Sequence, residues 1–182
     1  MRVVITGGSG RLGQYVVREL FTHNHAVAAL DAIKPRECLC PTYTVDLMRI
    51  DSFIDHFNNA DAVVHLARVR FPYTENGFNL AKQKWEFADV RGDAERFNRN
   101  VTITNNVVAA AQACAVKKIV CGSSLAVYGV YYPATDLQPA YLPIDEDHPL
   151  RPQDPYGITK LIDEKLCDAL SQKTGAQVTS LR

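Results

Sequence analysis

The sequence predicts an α/β protein built on a doubly wound parallel sheet, and three observations carry that expectation. Short apolar runs alternate with helical patterns from one end of the chain to the other. The runs read as buried strands, which suits a parallel sheet covered on both faces. A glycine-rich turn stands between the first strand and the first helix, where such folds bring a backbone close to a ligand.

Each element follows in order. Arg2 to Thr6 reads as a buried strand. Gly10 to Thr22 sets Leu12, Val16 and Leu20 at helical spacing, and His25 to Leu30 is a second apolar run ending at Asp31, which completes one βαβ unit. A polar turn around Lys34 to Pro41 leads to a strand at Thr42 to Val45, a short helix at Ile50 to Phe57 and a strand at Ala62 to Leu66. Asn98 to Ala115 is a long helical pattern rich in Val and Ala. It precedes the strand Lys118 to Cys121, a proline-rich loop, a helix from Tyr156 to about Lys173 and a last strand at Gln177 to Leu181. The stretch from Phe71 to Phe97 is polar and aromatic and lacks a strand pattern. A helix is expected there around Asn79 to Phe87, with Trp85 and Phe87 packing inward.

At 182 residues the chain is long enough for one well-buried core, read as a single domain over 1–182. Lys plus Arg equal Asp plus Glu at 20 each, so no charged field points to nucleic acid or a membrane, and the expected partner is a small molecule. The amino-terminal apolar run is too short for a signal peptide, and no stretch approaches the roughly 20 apolar residues of a membrane span. The expected location is cytoplasmic. The five cysteines (Cys38, Cys40, Cys114, Cys121 and Cys167) are odd in number and form no Cys-x-x-Cys pair, so buried reduced thiols are expected and no metal site.

Thr6-Gly7-Gly8-Ser9-Gly10-Arg11-Leu12-Gly13 places glycines three residues apart between strand and helix. Glycine there permits a tight turn, lets a diphosphate approach the backbone and lets the helix pack against the sheet. Eighteen residues past Gly13, Asp31 ends the second strand, where a carboxylate accepts hydrogen bonds from both hydroxyls of an adenosine ribose and repels a 2′-phosphate. Lys34 and Arg36 follow closely and could tolerate NADP, so NAD is the preferred cofactor and NADP the lesser one.

Tyr156-Gly157-Ile158-Thr159-Lys160 sets a phenol and an ammonium four residues apart on one helix face. The nearby positive charge favours tyrosinate and would let the phenol act as a general acid or base near neutral pH. Gly122-Ser123-Ser124 follows the strand Lys118 to Cys121 at the carboxyl edge of the sheet, where a hydroxyl can bond a substrate oxygen beside the tyrosine, with Ser124 preferred over Ser123.

With these residues in place, the sequence resembles the extended short-chain dehydrogenase/reductases, specifically the NAD-dependent epimerase/dehydratase family, which acts largely on nucleotide sugars. Besides the glycine turn and Asp31, the resemblance rests on Asp46-Leu47, His65-Leu66-Ala67, Asn100 with Thr104 and Asn106, Ser123 to Gly129, Tyr156 to Lys160, and the proline-bearing stretch from Pro143 to Gly157. It implies a Rossmann-type fold in which Gly7, Gly10 and Gly13 bind pyrophosphate, with Arg11 and Leu12 of the same turn among the cofactor residues. Asp31 would take the ribose, and Asp46 and Leu47 would flank the adenine. Leu66 and Ala67 would lie beside the nicotinamide half, with Asn100 in support. Ser124 would hold the reacting oxygen, Tyr156 would exchange its proton, and Lys160 would bind the nicotinamide ribose and tune Tyr156. The family chemistry moves a hydride between the cofactor and a sugar carbon through a keto intermediate.

The resemblance also marks departures. The family's chains run well beyond the strand at Val178 to Leu181, and that portion, which supplies most of the substrate pocket, is expected to be missing here. Arg68 replaces the usual second alanine after Leu66-Ala67 and brings a charge near the cofactor, which could select an anionic substrate. The loops Phe71 to Arg99 and Val130 to Asp154 look longer than usual. The reading is therefore an NAD(P)-dependent oxidoreductase or epimerase/dehydratase acting on a sugar, sugar acid or nucleotide sugar, with a homodimer expected through the helices at Asn98 to Ala115 and Tyr156 to Lys173. The alternative is a non-catalytic NAD(H)-binding or regulatory module.

Overall fold

A computed structural model describes residues 1–35, 37–69, 78–79, 84–85, 90–130 and 138–182, with backbone alone at 78–79, 84–85 and 90–93. The elements in chain order are β1 (Arg2–Thr6), α1 (Arg11–Thr22), β2 (Ala26–Asp31), β3 (Thr42–Thr44), β4 (Ala62–His65), β5 (Phe78–Asn79), β6 (Lys84–Trp85), α2 (Val90–Ala113), β7 (Lys118–Gly122), α3 (Pro155–Thr174) and β8 (Gln177–Leu181). Six strands form one sheet in the order β3-β2-β1-β4-β7-β8, every pair parallel. The doubly wound parallel sheet is thus the observed architecture. Strand order reverses between β1 and β4, and at such a switch point the loops leaving the two strands diverge and open a crevice at the carboxyl edge.

The sheet is covered on both sides because its central strands are apolar at successive positions, so both faces need burial. Val3 and Ile5 of β1 join Val27, Ala29 and Ala62 in a cluster with Val17 of α1. Val4, Leu30, Val63, Ile119 and Cys121 face the other way, against Ile103, Val107, Ala110 and Ala111 of α2 and Cys167 and Leu170 of α3. Ala110 and Ala111 are fully buried, and their small side chains let α2 lie close to the sheet. The outer strand β8 leaves residues partly or fully exposed along its length, as one-sided cover predicts.

Three expectations need correction. The stretch Ile50 to Phe57 is not one helix but two short 3-10 turns, Ile50–Ser52 and Ile54–Phe57, broken at Phe53, whose fully buried ring is drawn into the core and leaves the helical path. The long helix starts at Val90, eight residues before the expected Asn98. Within the span Asn79 to Phe87, where the sequence suggests a helix, Phe78–Asn79 pairs antiparallel with Lys84–Trp85. A β-branched or aromatic residue at such positions favours an extended backbone once a partner strand is available. Residues 80–83 and 86–87, including Phe87, lie outside the described residues, as do Arg36 and 131–137 of the long loops. All five cysteines are free thiols, but Cys38 is exposed and Cys114 only partly covered, because Cys38 lies within the connection from β2 to β3 and Cys114 just past the end of α2.

Candidate active site

The turn after β1 is built by close approach. Gly7 has φ +76°, a left-handed conformation that L side chains rarely adopt, and a methyl group there would stand 2.6 Å from the backbone nitrogen of Ala67. At Gly13 a methyl group would come within 2.1 Å of the Gly7 carbonyl oxygen. The first turn of α1 is therefore pressed onto the strand-leaving loop. Its amino terminus has no side-chain cap and no acidic residue in the first turn, so the leading N–H groups of Arg11, Leu12 and Gly13 point outward with the positive end of the helix dipole. The Ser9 hydroxyl in the same turn is buried without a hydrogen-bond partner. A buried orphan hydroxyl beside uncapped N–H groups is the donor set a diphosphate satisfies, so these residues fit a dinucleotide.

Asp31 has two roles in reach. Its Oδ2 accepts from the Ser9 backbone N–H at 2.9 Å, and its Oδ1 from that of Ile33 at 3.3 Å. The carboxylate thus ties the end of β2 to the glycine turn and keeps lone pairs for a further donor. Lys34 is exposed close by. Asp46 is exposed and caps its own turn by accepting from Met48 N–H at 3.0 Å, whereas Leu47 is buried in the core. Asn106 donates to the carbonyls of Leu47 and Met48, both at 3.0 Å, which anchors that loop to α2.

The chain leaving β4 closes the crevice. Leu66 N–H donates to the Thr6 carbonyl at 3.0 Å, which sets Leu66 and Ala67 against the glycine turn. Asn100, on α2, grips Val69 at both backbone groups: its Oδ1 accepts from Val69 N–H at 2.7 Å and its Nδ2 donates to the Val69 carbonyl at 3.1 Å. Beneath them His65 is wholly buried between the hydroxyls of Thr6 at 2.6 Å and Thr104 at 3.0 Å. Burial drives its pKa down to about 4, with Lys160 adding to the fall and Asp163 opposing it. His65 is therefore neutral at pH 7 and joins β1, β4 and α2 without adding charge.

The opposite wall is made by β7 and α3. Asp154 caps α3 through Gly157 N–H at 2.9 Å and Pro155 opens its first turn. A methyl group at Gly157 would stand 2.8 Å from the Ala126 carbonyl oxygen, so this turn is seated directly on the 3-10 turn Leu125–Tyr128 that follows Ser124. Tyr156 is half-buried in that seam. Lys160 is 4% exposed, and its ammonium donates to the Gly122 carbonyl at 2.9 Å and to Asp163 Oδ2 at 2.9 Å. Ser124 Oγ accepts from Ala126 N–H at 3.2 Å and keeps its own proton to donate, while the Ser123 hydroxyl is committed to Glu164.

Residues that sequence reasoning misses support this frame. Asp163 balances Lys160 inside the fold, and only its i,i+3 spacing from Lys160 hints at it. Glu164 accepts a fork from Arg182, at 3.0 and 2.9 Å, besides the Ser123 hydroxyl. Burial alone would raise the Glu164 pKa, but the hydrogen bonds from Arg182 and Ser123 hold it below the ordinary carboxylate value. Arg182 also reaches the Tyr128 hydroxyl at 3.1 Å, tying the end of β8 to the 3-10 turn. Ser123 and Glu164 are 41 residues apart in the chain and Tyr128 and Arg182 are 54 apart, so neither contact leaves a periodic trace in sequence.

Comparison with known proteins bears on the family and the fold. The family model described as NAD dependent epimerase/dehydratase family matches residues 3–77 and 75–182. A UDP-glucose 4-epimerase from Lactobacillus helveticus is 31% identical over 191 residues, covering 100% of this chain and 51% of the relative. Among solved structures, a short-chain dehydrogenase/reductase superfamily protein from Agrobacterium tumefaciens with bound NAD superposes at TM-score 0.79 with 29% identity, covering 100% of this chain and 48% of the other. The Thermus thermophilus UDP-glucose 4-epimerase in complex with NAD gives TM-score 0.79 and 26% identity over 100% of this chain and 54% of that one. The chain spans about half the length of the curated relatives it matches. On the match of its whole length to the family model, it belongs to the NAD-dependent epimerase/dehydratase family.

Proposed function

We propose that this chain carries the cofactor half and the Ser124-Tyr156-Lys160 site of an enzyme that oxidises or epimerises a sugar or nucleotide sugar using NAD. The supporting observation is an unbroken path of contacts from the glycine turn to the tyrosine helix. A Cβ at Gly7 would meet Ala67, a Cβ at Gly122 would stand 2.9 Å from Leu66 Cδ2, and Lys160 of α3 bonds the Gly122 carbonyl at 2.9 Å. On this reading the phosphate-binding and proton-transfer groups face one crevice.

In this reading the uncapped end of α1 and Ser9 bind the diphosphate, and Asp31 accepts from the adenosine ribose, which favours NAD over NADP. When bound, the dinucleotide accepts or returns a hydride. Ser124 donates a hydrogen bond to the reacting oxygen, and Tyr156 takes or returns its proton. Lys160 directs its third N–H, beyond the two used inside the fold, toward the ribose and phenol. UDP-glucose is the natural first substrate to try, since the named relatives act on it, and a homodimer through α2 and α3 belongs to the same reading.

The test compares the NAD-loaded protein with its Tyr156→Phe variant on UDP-glucose and on free and nucleotide-linked uronic acids, following both reduced cofactor and the sugar product. Loss of the phenol should lower turnover by about 10² to 10⁴ with NAD affinity retained. Equal turnover by the variant would remove the assigned chemistry, and NAD binding without turnover of any sugar would favour a binding module.

A further inference from the structure

Arg68 occupies a position that the fold holds firmly. On one side Leu66 and Ala67 abut the glycine turn, and on the other Val69 is clamped at both backbone groups by Asn100, itself 5% exposed. Between two fixed neighbours the Arg68 backbone has little freedom, and its side chain is directed across the crevice. Its guanidinium carbon stands 5.2 Å from the centre of the Tyr156 ring, while the residue as a whole is exposed. A guanidinium held near an aromatic ring by the cation–π attraction makes no hydrogen bond in that contact, so its N–H donors remain available for a carboxylate fork.

The charges around the phenol decide what that fork is for. Lys160 is neutralised by Asp163 at 2.9 Å. His65 is neutral, since burial drives its pKa down to about 4. Among the described residues no carboxylate pairs with Arg68. Among the described residues the Arg68 charge is therefore left without a compensating carboxylate beside the proposed proton-transfer group, on a side chain that donates hydrogen bonds and accepts none.

We propose that Arg68 binds a carboxylate carried by the substrate next to the carbon that reacts at Tyr156, so that the preferred sugar is a uronic acid and not its neutral counterpart. The inference rests on the proposed site at Tyr156. The anionic group is the carboxylate of the sugar itself, distinct from the diphosphate of a nucleotide sugar, which both members of a nucleotide-sugar pair carry.

The experiment measures kcat/KM of the NAD-loaded protein for UDP-glucuronate against UDP-glucose, and for free glucuronate against glucose. The same pairs are then run with Arg68→Ala and Arg68→Lys. A forked, charge-assisted contact is worth about 10- to 100-fold in discrimination. The acid should be preferred by that factor within at least one pair, the preference should collapse toward unity in Arg68→Ala, and Arg68→Lys should recover only part of it, because an ammonium supplies charge without the fork. Preference for the neutral sugar in both pairs, or an unchanged ratio in Arg68→Ala, overturns the inference. If only nucleotide-linked sugars react, and acid and neutral react equally, Arg68 does not read a sugar carboxylate. If Tyr156→Phe abolishes turnover while the Arg68 variants leave the ratio alone, this inference fails and the proposed function stands. If no sugar turns over and Tyr156→Phe changes nothing, both fail. Arg68 is an exposed side chain, so its variants should unfold at the same denaturant midpoint as the parent.

Discussion

Lys160 and Asp163, one turn apart on α3, form an ion pair of 2.9 Å whose side chains are only 5% and 3% exposed. Such a pair is costly to break from one side, since the partner becomes a buried, uncompensated charge. Asp163→Asn should lower the free energy of unfolding by about 3 kcal/mol. The double variant Lys160→Met/Asp163→Leu should recover most of that loss, as measured by urea titration at neutral pH. A single variant as stable as the parent would mean that water reaches the pair.

The glycine turn offers a paired test of close approach against backbone conformation. Gly13→Ala drives a methyl group to within 2.1 Å of the Gly7 carbonyl. It should cost about 3 kcal/mol of stability and at least about tenfold in NAD affinity, read by calorimetry. Gly175, with φ +72° and nothing within 4 Å, meets only the left-handed penalty. Gly175→Ala should cost about 1 kcal/mol and leave NAD affinity unchanged. Equal effects at the two positions would contradict the packing described for the turn.

Asp31 couples the turn to the proposed ribose contact, because the same carboxylate accepts from Ser9 N–H at 2.9 Å. Asp31→Ala should weaken NADH binding about tenfold, the worth of one charge-assisted hydrogen bond. NADPH should lose less or gain, since the repulsion of its extra phosphate disappears. Fluorescence titration with both cofactors reads the ratio, and a parallel loss for the two would place Asp31 in turn architecture alone.

Stability should fall on mild acidification through His65. Burial lowers its folded-state pKa to about 4, below the ordinary 6.5, so the unfolded chain binds a proton there that the folded chain does not. The contribution is complete above pH 6.5 and is lost as pH falls from 6.5 toward 4, by roughly 3 kcal/mol in all. His65→Gln, which keeps hydrogen-bonding capacity toward Thr6 and Thr104, should flatten the unfolding free energy over that window. An unchanged slope would rule out His65 as the source; Glu164, whose pKa lies below the ordinary carboxylate value, loses its stabilising contribution only at lower pH.

The parts legible in sequence are those with local or periodic signatures. The strands β1, β4, β7 and β8 lie where their apolar runs stand, and the turn from Gly7 to Gly13 is readable because glycine spacing reflects a backbone constraint. Tyr156 and Lys160 stand out because four residues make about one helical turn. The pairing of Phe78–Asn79 with Lys84–Trp85 escapes a pattern reading, since two-residue strands are too short to show a period. The early start of α2 at Val90 escapes it too, because its first turns are polar and carry a glycine at Gly92 instead of an apolar stripe.

The amino-acid sequence by itself determined the alternation of strands and helices that marks a parallel sheet, the glycine turn and the tyrosine-lysine pair, because each is encoded in residues that are neighbours or one turn apart. Only the tertiary structure decided that Asp163 neutralises Lys160 within the core, that Asn100 clamps the loop holding Arg68, and that Arg68 lies over Tyr156. Arg68 and Tyr156 are 88 residues apart in the chain, and what brings them together is the order in which β1, β4 and β7 assemble. Charge balance at a site depends on such meetings, and distance along the chain says nothing of distance in space.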